Sequence, residues 1–339
     1  MGKRKLIYIA PGKSAFVLQD IEWLKKEFHV RSYFFEVPNK FLLPLYISKL
    51  FWWLLKESKA PILISFGGYH SYIGVLVSRL KKQDSYIILN GTDSVSFDEI
   101  NYGYLKSFPI GWFCRKSYEK CTMLLPVSDS LMFTENDYYD NNKRSLGIQM
   151  IIPDLKTPYK VIPNGFDLNF WIKSKEVIKV EKTFVSVIGH GQERRKGLDL
   201  ILEISQIFTD CEFFIAGHNG IDDCPGNVRF LGRLNSDQLK DLYGKCRYYL
   251  QLSIYEGFGC ALCEAMLCGC IPVVSNVNVL PQISGPYGYI VTRRSAKELE
   301  MKIDEALSAE LSVNCNVSEH IEIEYPIESR INQIKQIIH

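Results

Sequence analysis

The chain has 339 residues, too many for one ordinary core and enough for two α/β domains of roughly 150 to 170 residues each. Forty Lys and Arg against 38 Asp and Glu leave a formal charge of +2, which lacks the bulk basic balance of a nucleic-acid binder, so no nucleic-acid partner is expected. With 47% hydrophobic and 23% charged residues and no low-complexity tract or internal repeat, a disordered chain is excluded.

The start, MGKRKLIYIAPGKS, has a basic head, but its apolar run of about five residues is too short for a signal-peptide core. LIYIA at 6–10 therefore reads as a first buried strand, followed by the helical stretch VLQDIEWLKKEF. FLLPLYISKLFWWLLK at 41–56 falls short of the ~20 residues that span a bilayer and is interrupted by Pro44 and Lys49. It reads either as an amphipathic helix packed in the first lobe or as an interfacial helix on a membrane, with Lys40 and Lys56 flanking Trp52 and Trp53. PILISFGG at 61–68 with YIGVLVSRLKK, then SYIILNG at 85–91, continue a strand-helix alternation that implies a parallel sheet. MLLPVSDSL at 123–131 adds a strand leading into a helix, with Ser128 or Asp129 as its cap.

VIPNGFD at 161–167 is turn punctuation and marks an interdomain hinge. Strands then recur at TFVSVIG (183–189), CEFFIAG (211–217), VRFLG (228–232), YYLQLS (248–253) and IPVVS (271–275), with helices GLDLILEISQIF, SDQLKDLYGKC and 260–267 between them. IESRINQIKQII at 327–338 places Ile327, Ile331, Ile334 and Ile338 on one apolar face. The resulting division is 1–162, 163–318, and a terminal segment 319–339 that crosses back to the first domain. Ten cysteines without an export signal point to free thiols in the cytoplasm.

The chemistry concentrates in EGFGCALCEAM at 256–266. A strand, a glycine loop (Gly257, Gly259) and a helix start place backbone N–H groups and the positive end of a helix dipole where a phosphate can sit. Ionised Glu256 and Glu264 are bidentate acceptors for sugar hydroxyls, eight residues apart. Followed by AMLCGCIPVVS, this stretch resembles the signature of retaining GT-B glycosyltransferases, in particular glycosyltransferase family 4 (glycosyl transferases group 1). The resemblance covers most of the second lobe, with weaker echoes in the first. It implies two Rossmann-like doubly wound domains facing across a cleft, with Glu256 on the donor sugar and Glu264 on the nucleotide ribose. It also implies that backbone groups around Gly257, Phe258, Gly259, Cys260, Ala261 and Leu262 hold the diphosphate.

GHGQERRKG at 189–197 resembles the family loop whose Arg and Lys neutralise the diphosphate: Lys196 matches the Lys, but His190 stands at the usual Arg position. Either His190 replaces that cation, or Arg194 or Arg195 does, since the growing charge on a leaving diphosphate needs stabilising. In the first lobe Gly12 fits the family's loop after the first strand. Asp93, in NGTDSVSF, stands where a His is frequent, as a contact to the sugar or acceptor or as a turn cap. His70 at another strand end is read as structural or cleft-facing, and VRFLGRL at 228–234, with Arg233, is placed near the nucleotide base.

Other motifs lead elsewhere. PGKS lacks the first glycine of a phosphate loop, Ile7 standing there, and Arg194 replaces the third glycine of a dinucleotide fingerprint. Cys260, Cys263, Cys268 and Cys270 read as core packing rather than zinc ligands. The chain has no Asp-x-Asp triplet, so neither a metal nor another cofactor is expected. The resemblance thus implies retaining transfer of a sugar from a UDP- or GDP-sugar to a glycan or lipid-linked acceptor, in cell-surface polysaccharide synthesis. Lys196, Glu256 and Asp93 would be the catalytic set, and the enzyme cytoplasmic or peripheral at the inner membrane face through 41–56. The alternatives are a GT-B epimerase or phosphorylase and a non-catalytic sugar-nucleotide-binding protein.

Overall fold

The computed structural model describes residues 2–140, 142–172, 178–309 and 316–338; Cys315 lies outside them. The nine other cysteines are free thiols. The chain forms two compact units, one of residues 1–134, 145–164 and 327–339, the other of 135–144 and 165–326.

The first unit holds strands β1 (Lys5–Ala10), β2 (His29–Phe34), β3 (Ile62–Ser65), β4 (Ser85–Leu89) and β5 (Met123–Pro126). They form one parallel sheet in the order β2-β1-β3-β4-β5. Strands β3 and β4 are buried at every position, because helices cover both faces of such a sheet, and this produces the uninterrupted apolar runs of the sequence. β2 is an edge strand with exposed His29, Arg31 and Ser32, so it carries no apolar run, and sequence patterning passes over it. The helix Ile110–Tyr118 is likewise unannounced. After β5, Ser128 does accept a hydrogen bond from the Ser130 amide (3.1 Å), but it caps a single turn at 129–131 and not a full helix.

The helix Leu43–Lys56 buries Leu50 and Leu54 and sets Trp53 against Tyr33, with ring centroids 5.0 Å apart. Its other side and approach stay apolar yet open to solvent: Phe41 is 80% exposed and Trp52 58%. At the end of the chain, the helix Ile327–Ile337 packs on the helix Ala15–Glu27. Buried Arg330 grips Asp20 in a fork (2.8 and 2.7 Å) and donates to the carbonyls of Ile162 and Pro163 (2.9 Å each).

The second unit has its own parallel sheet, in the order β10-β9-β8-β11-β12-β13. Its strands are β8 (Val180–Val187), β9 (Glu212–Ala216), β10 (Val228–Phe230), β11 (Cys246–Gln251), β12 (Ile271–Ser275) and β13 (Tyr289–Val291); before them the short strands β6 (Thr134–Asn136) and β7 (Arg144–Leu146) form a separate two-stranded ladder. Phe184 on β8 stacks with Phe213 and Tyr248 on its neighbours at 5.0 and 4.9 Å, which knits the sheet face.

Two boundaries differ from those drawn on the sequence. Residues 135–144 cluster with the second unit because Asn136 donates to the Ile254 carbonyl (2.7 Å), while the Tyr138 carbonyl accepts from the Arg294 amide (2.9 Å). The helix Val317–Glu324 also stays there, with Ile321 buried and Tyr325 edge-on to Phe258 at 5.4 Å, so the chain returns to the first unit only at Ile327.

Candidate active site

In the second unit the strand order reverses between β8 and β11: β9 and β10 extend to one side, β12 and β13 to the other. The loops leaving the carboxyl ends of β8 and β11 therefore diverge and open a crevice, the usual ligand position in such sheets. The first loop leads into the short helix Glu193–Lys196, and the second carries Ile254–Gly259 into the helix Cys260–Leu267. Their backbones are joined where the Ile254 amide donates to the Arg195 carbonyl (2.8 Å).

Lys196 Nζ meets Glu256 Oε2 at 2.9 Å, and Arg195 lies 3.9 Å from the same oxygen while donating to the Tyr255 carbonyl at 3.1 Å. Gln251 Nε2 and Ser253 Oγ also donate to Glu256 Oε2, at 2.9 and 3.2 Å, and Asn278 Oδ1 accepts from the Glu256 amide. Burial pushes the Glu256 carboxyl up, but Lys196 and Arg195 outweigh it, so the net shift is downward and the group is held ionised. Three hydrogen-bond donors on one carboxylate oxygen, with the Arg195 charge beside them, fix the side chain's orientation before any ligand arrives.

Glu264, two turns along, is the opposite case. Among the described residues no cation pairs with it, and burial in the helix that packs on β11 and β12 pushes its carboxyl up to about 8. Gly259, which starts that helix, has φ 106°, and a Cβ there would lie 2.8 Å from Leu280 Cδ2, so both conformation and space require glycine. Gly257 and Phe258 are buried in the loop before it, and Cys260 and Ala261 open its first turn. The Leu262 amide is already engaged by the Gly259 carbonyl at 3.0 Å, which removes it from the set of amides available to an anion. Cys263, Cys268 and Cys270 are buried in the core.

The three candidates for the missing arginine part company. Arg195 stands beside Glu256, whereas exposed Arg194 is turned to Tyr139, donating to its hydroxyl at 2.6 Å. His190 lies against His218, with ring centroids 4.1 Å apart and the planes tilted by 35°. His218, which sequence reading passed over, is buried and meets Glu193 Oε1 at 3.0 Å; its only signal was a strand end, AGHNG, beside that of β8. Among the described residues, His190, Glu193 and His218 are the one group of three His, Cys, Asp or Glu side chains whose ligand atoms all lie within 4.8 Å. Arg233, just past β10, is exposed.

In the first unit the structure favours the second of the two readings of Asp93, the turn cap, over a contact to the sugar or acceptor. Its side chain is 0% exposed: Oδ2 accepts from the Gly67 amide (2.8 Å), and Oδ1 from the amides of Asn90 and Gly91 (3.0 Å each). Burial raises its pKa against the pull of these amides. Asp93 thus ties the loop after β3 to the loop after β4 and presents no oxygen to a substrate. Gly67 is held so close that a Cβ would fall 1.9 Å from the Tyr118 hydroxyl. Beside this loop a cavity of about 400 Å³ is lined by Pro11, Phe35, Lys40, Leu43, Tyr69 and Tyr104, among others, and Gly12 borders its Pro11 edge in sequence. His70 also lines it, but its ring is buried, shares a hydrogen bond with the Ser65 carbonyl (2.9 Å), and is pushed by burial down to about 4, so it is neutral.

Residues 171–320 match the family model of "Glycosyl transferases group 1". O-antigen chain mannosyltransferase B of Escherichia coli is 35% identical over 82 residues, which is 24% of this chain and 22% of that protein. GDP-mannose:cellobiosyl-diphosphopolyprenol alpha-mannosyltransferase of Komagataeibacter xylinus is 28% identical over 108 residues, 29% of this chain and 27% of that protein. The matched stretches thus span only about a quarter of these curated relatives. Among solved structures, sucrose-phosphate synthase from Thermosynechococcus elongatus has a TM-score of 0.75 at 14% identity, covering 99% of this chain and 98% of that one. Anabaena HepE in complex with UDP and glucose has a TM-score of 0.71 at 16% identity, covering 98% and 99%. At such identities the likeness concerns fold, and the fold is GT-B, with two Rossmann-like domains.

Proposed function

We propose, from the match of residues 171–320 to the glycosyl transferases group 1 model, that this chain is a retaining glycosyltransferase of that family, moving a sugar from a GDP- or UDP-sugar to a glycan or lipid-linked acceptor in polysaccharide synthesis. The observation that carries the reading is the Lys196–Glu256 pair, 2.9 Å apart at the strand-order reversal and next to the start of the helix Cys260–Leu267. Glu256, held ionised and immobile, accepts hydrogen bonds from the donor sugar. Lys196, Arg195 and the positive helix end face the diphosphate and stabilise the charge it gains on leaving. Glu264 receives the ribose hydroxyls. The leaving phosphate oxygen accepts the acceptor's proton in a front-face attack, which retains the anomeric configuration.

The aromatic cavity of the first unit is the proposed acceptor site. Lys40 at its edge, and the open apolar surface of Phe41, Leu42, Leu45 and Trp52 on the adjoining segment, suit an acceptor carried on a lipid at a membrane surface. No helix among the described residues is long and apolar enough to cross the bilayer. GDP-mannose leads the donor candidates, because both curated relatives above are mannosyltransferases and one is named for that donor.

The test is a panel of GDP- and UDP-sugars scored for thermal stabilisation and for transfer to lipid-diphosphate-linked sugars. One donor is expected to raise Tm and be consumed only with acceptor, giving an α-configured product from an α-donor. Turnover of the sugar nucleotide without any acceptor sugar, with epimerised product, would replace the transferase reading by an epimerase. Stabilisation without turnover would leave a binding protein.

A further inference from the structure

We propose that Tyr249 and Gln251 are positioning residues for Glu256: they hold Oε2 of its carboxylate inside the protein and so assign the other oxygen, Oε1, to a hydroxyl of the ligand. The proposal rests on the reading of Glu256 as the contact to the donor sugar.

The arrangement begins in the strand. Side chains two residues apart on a strand share a face, so Tyr249 and Gln251 on β11 lie together, and Ser253 follows just past its end. All three are buried, at 2% exposure or less. Their polar groups form one chain: the Tyr249 hydroxyl donates to Gln251 Oε1 (3.0 Å), and Gln251 Nε2 donates to Ser253 Oγ (2.8 Å) and Glu256 Oε2 (2.9 Å). Ser253 Oγ donates its own hydrogen to Glu256 Oε2 (3.2 Å). From β12, Ser275 Oγ reaches the carbonyls of Gln251 and Ser253, at 3.3 and 2.7 Å, and pins the backbone that carries them.

The direction of the chain follows from the donors available. An ionised carboxylate only accepts, so the Gln251 amide must turn its nitrogen to Glu256 and its oxygen to Tyr249. Burial pushes the Tyr249 hydroxyl well above its ordinary range, so it keeps its proton and donates to that oxygen. A flipped amide would set its oxygen against the carboxylate. The consequence appears at Glu256: Lys196, Gln251 and Ser253 all meet Oε2, and among the described residues no hydrogen-bond donor meets Oε1. An incoming hydroxyl therefore finds one oxygen saturated and the other open, in an orientation set deeper in the sheet.

The test puts a charge into this chain. Gln251→Glu sets a second carboxylate beside Glu256, where the facing groups are the cations Lys196 and Arg195, the Tyr249 hydroxyl and, acting on Tyr249, Glu264. Two carboxylates at hydrogen-bond distance share a proton and keep it to higher pH. The probe is the Glu256 carboxyl resonance in nucleotide-free protein labelled with carbon-13 at the Glu carboxyls, assigned by its loss in Glu256→Gln. Wild-type Glu256, held below the ordinary carboxylate range, is expected to show no titration above about pH 5, and in Gln251→Glu to titrate at a pH higher by about 1 or more. Tyr249→Phe removes one oxygen, keeps the ring packing and decides the matter alone if Gln251→Glu does not fold. It frees the amide to turn, so the Glu256 titration moves up by a smaller step, and with the donor found in the sugar-nucleotide panel kcat falls about ten- to a hundredfold while KM stays within about twofold. A Glu256 resonance that titrates as in wild type in the folded variants, or a Tyr249→Phe protein with wild-type kcat, overturns the proposal. The titration involves no sugar nucleotide. A chain that transfers sugar while Glu256 ignores both substitutions loses the positioning alone, and one whose resonance moves but which transfers nothing loses the transferase alone.

Discussion

Asp93 in the first unit and Glu256 in the second are both carboxylates in loops at the carboxyl ends of parallel strands, yet they are built for different work. Asp93 is wholly buried and its oxygens are taken by backbone amides of two loops. Glu256 is met by side chains, two of them cations, at a crevice that remains partly open. Amide partners are part of the fold and cannot be exchanged for a ligand without unfolding a loop. A lysine side chain can be. The same chemistry is therefore locked into the backbone in one place and left exchangeable for a ligand in the other, and the partner type separates the two.

The contrast breaks most visibly at Glu256. Glu256→Gln keeps shape and removes the charge, and transfer is expected to fall by on the order of 10²- to 10³-fold or more in kcat, the scale of losing a preorganised electrostatic contact. Steady-state kinetics read this, with circular dichroism to confirm the fold; turnover within twofold of wild type would remove Glu256 from the site. Asp93→Asn should invert the pattern. Its amide nitrogen cannot accept from the loop amides, so stability drops by about 2 to 3 kcal/mol in urea denaturation while KM for the donor holds. Unchanged stability with lost turnover would return Asp93 to catalysis.

Glu264 sharpens the comparison through pH. Its folded pKa, about 8, lies above the ordinary value of 4.5, so the folded state favours the protonated form. Its contribution is intact below about pH 4.5 and is lost as pH rises toward 8. Glu264→Gln, which cannot ionise, should match wild type near pH 4.5 and exceed its Tm increasingly up to pH 8 in nucleotide-free protein. A constant difference across that range would show that the carboxyl is not buried uncharged. The smallest effect on the fold is expected at Trp52, 58% exposed: Trp52→Ser should change stability by no more than about 0.5 kcal/mol. It should nevertheless reduce cosedimentation with anionic phospholipid vesicles; unchanged cosedimentation would remove this face from membrane contact.

Much of the architecture is legible in residue order because buried parallel strands must be apolar on both faces. Strands β1, β3, β4, β8, β9, β11 and β12 all announce themselves so. The edge strand β2 and the three-residue β13 do not, since an edge need not be apolar and three residues show no period. Membership of 135–144 and of the helix Val317–Glu324 in the second unit depends on contacts with Ile254, Arg294 and Phe258, far away along the chain.

At the site, the spacing of Glu256 and Glu264 around a glycine loop was sufficient to locate a loop that opens a helix between two carboxylates, because loop, helix start and carboxylates are neighbours in sequence. Which arginine joins Lys196 was not, since Arg194 and Arg195 are adjacent in sequence but point to Tyr139 and Glu256 respectively. Likewise Asp93 and Glu256 are the same kind of acid in residue order, and His190 and His218 are 28 residues apart. The enclosure of one acid, the openness of the other and the contact of the two rings come from packing, which decides whether a polar group meets backbone, side chain or solvent.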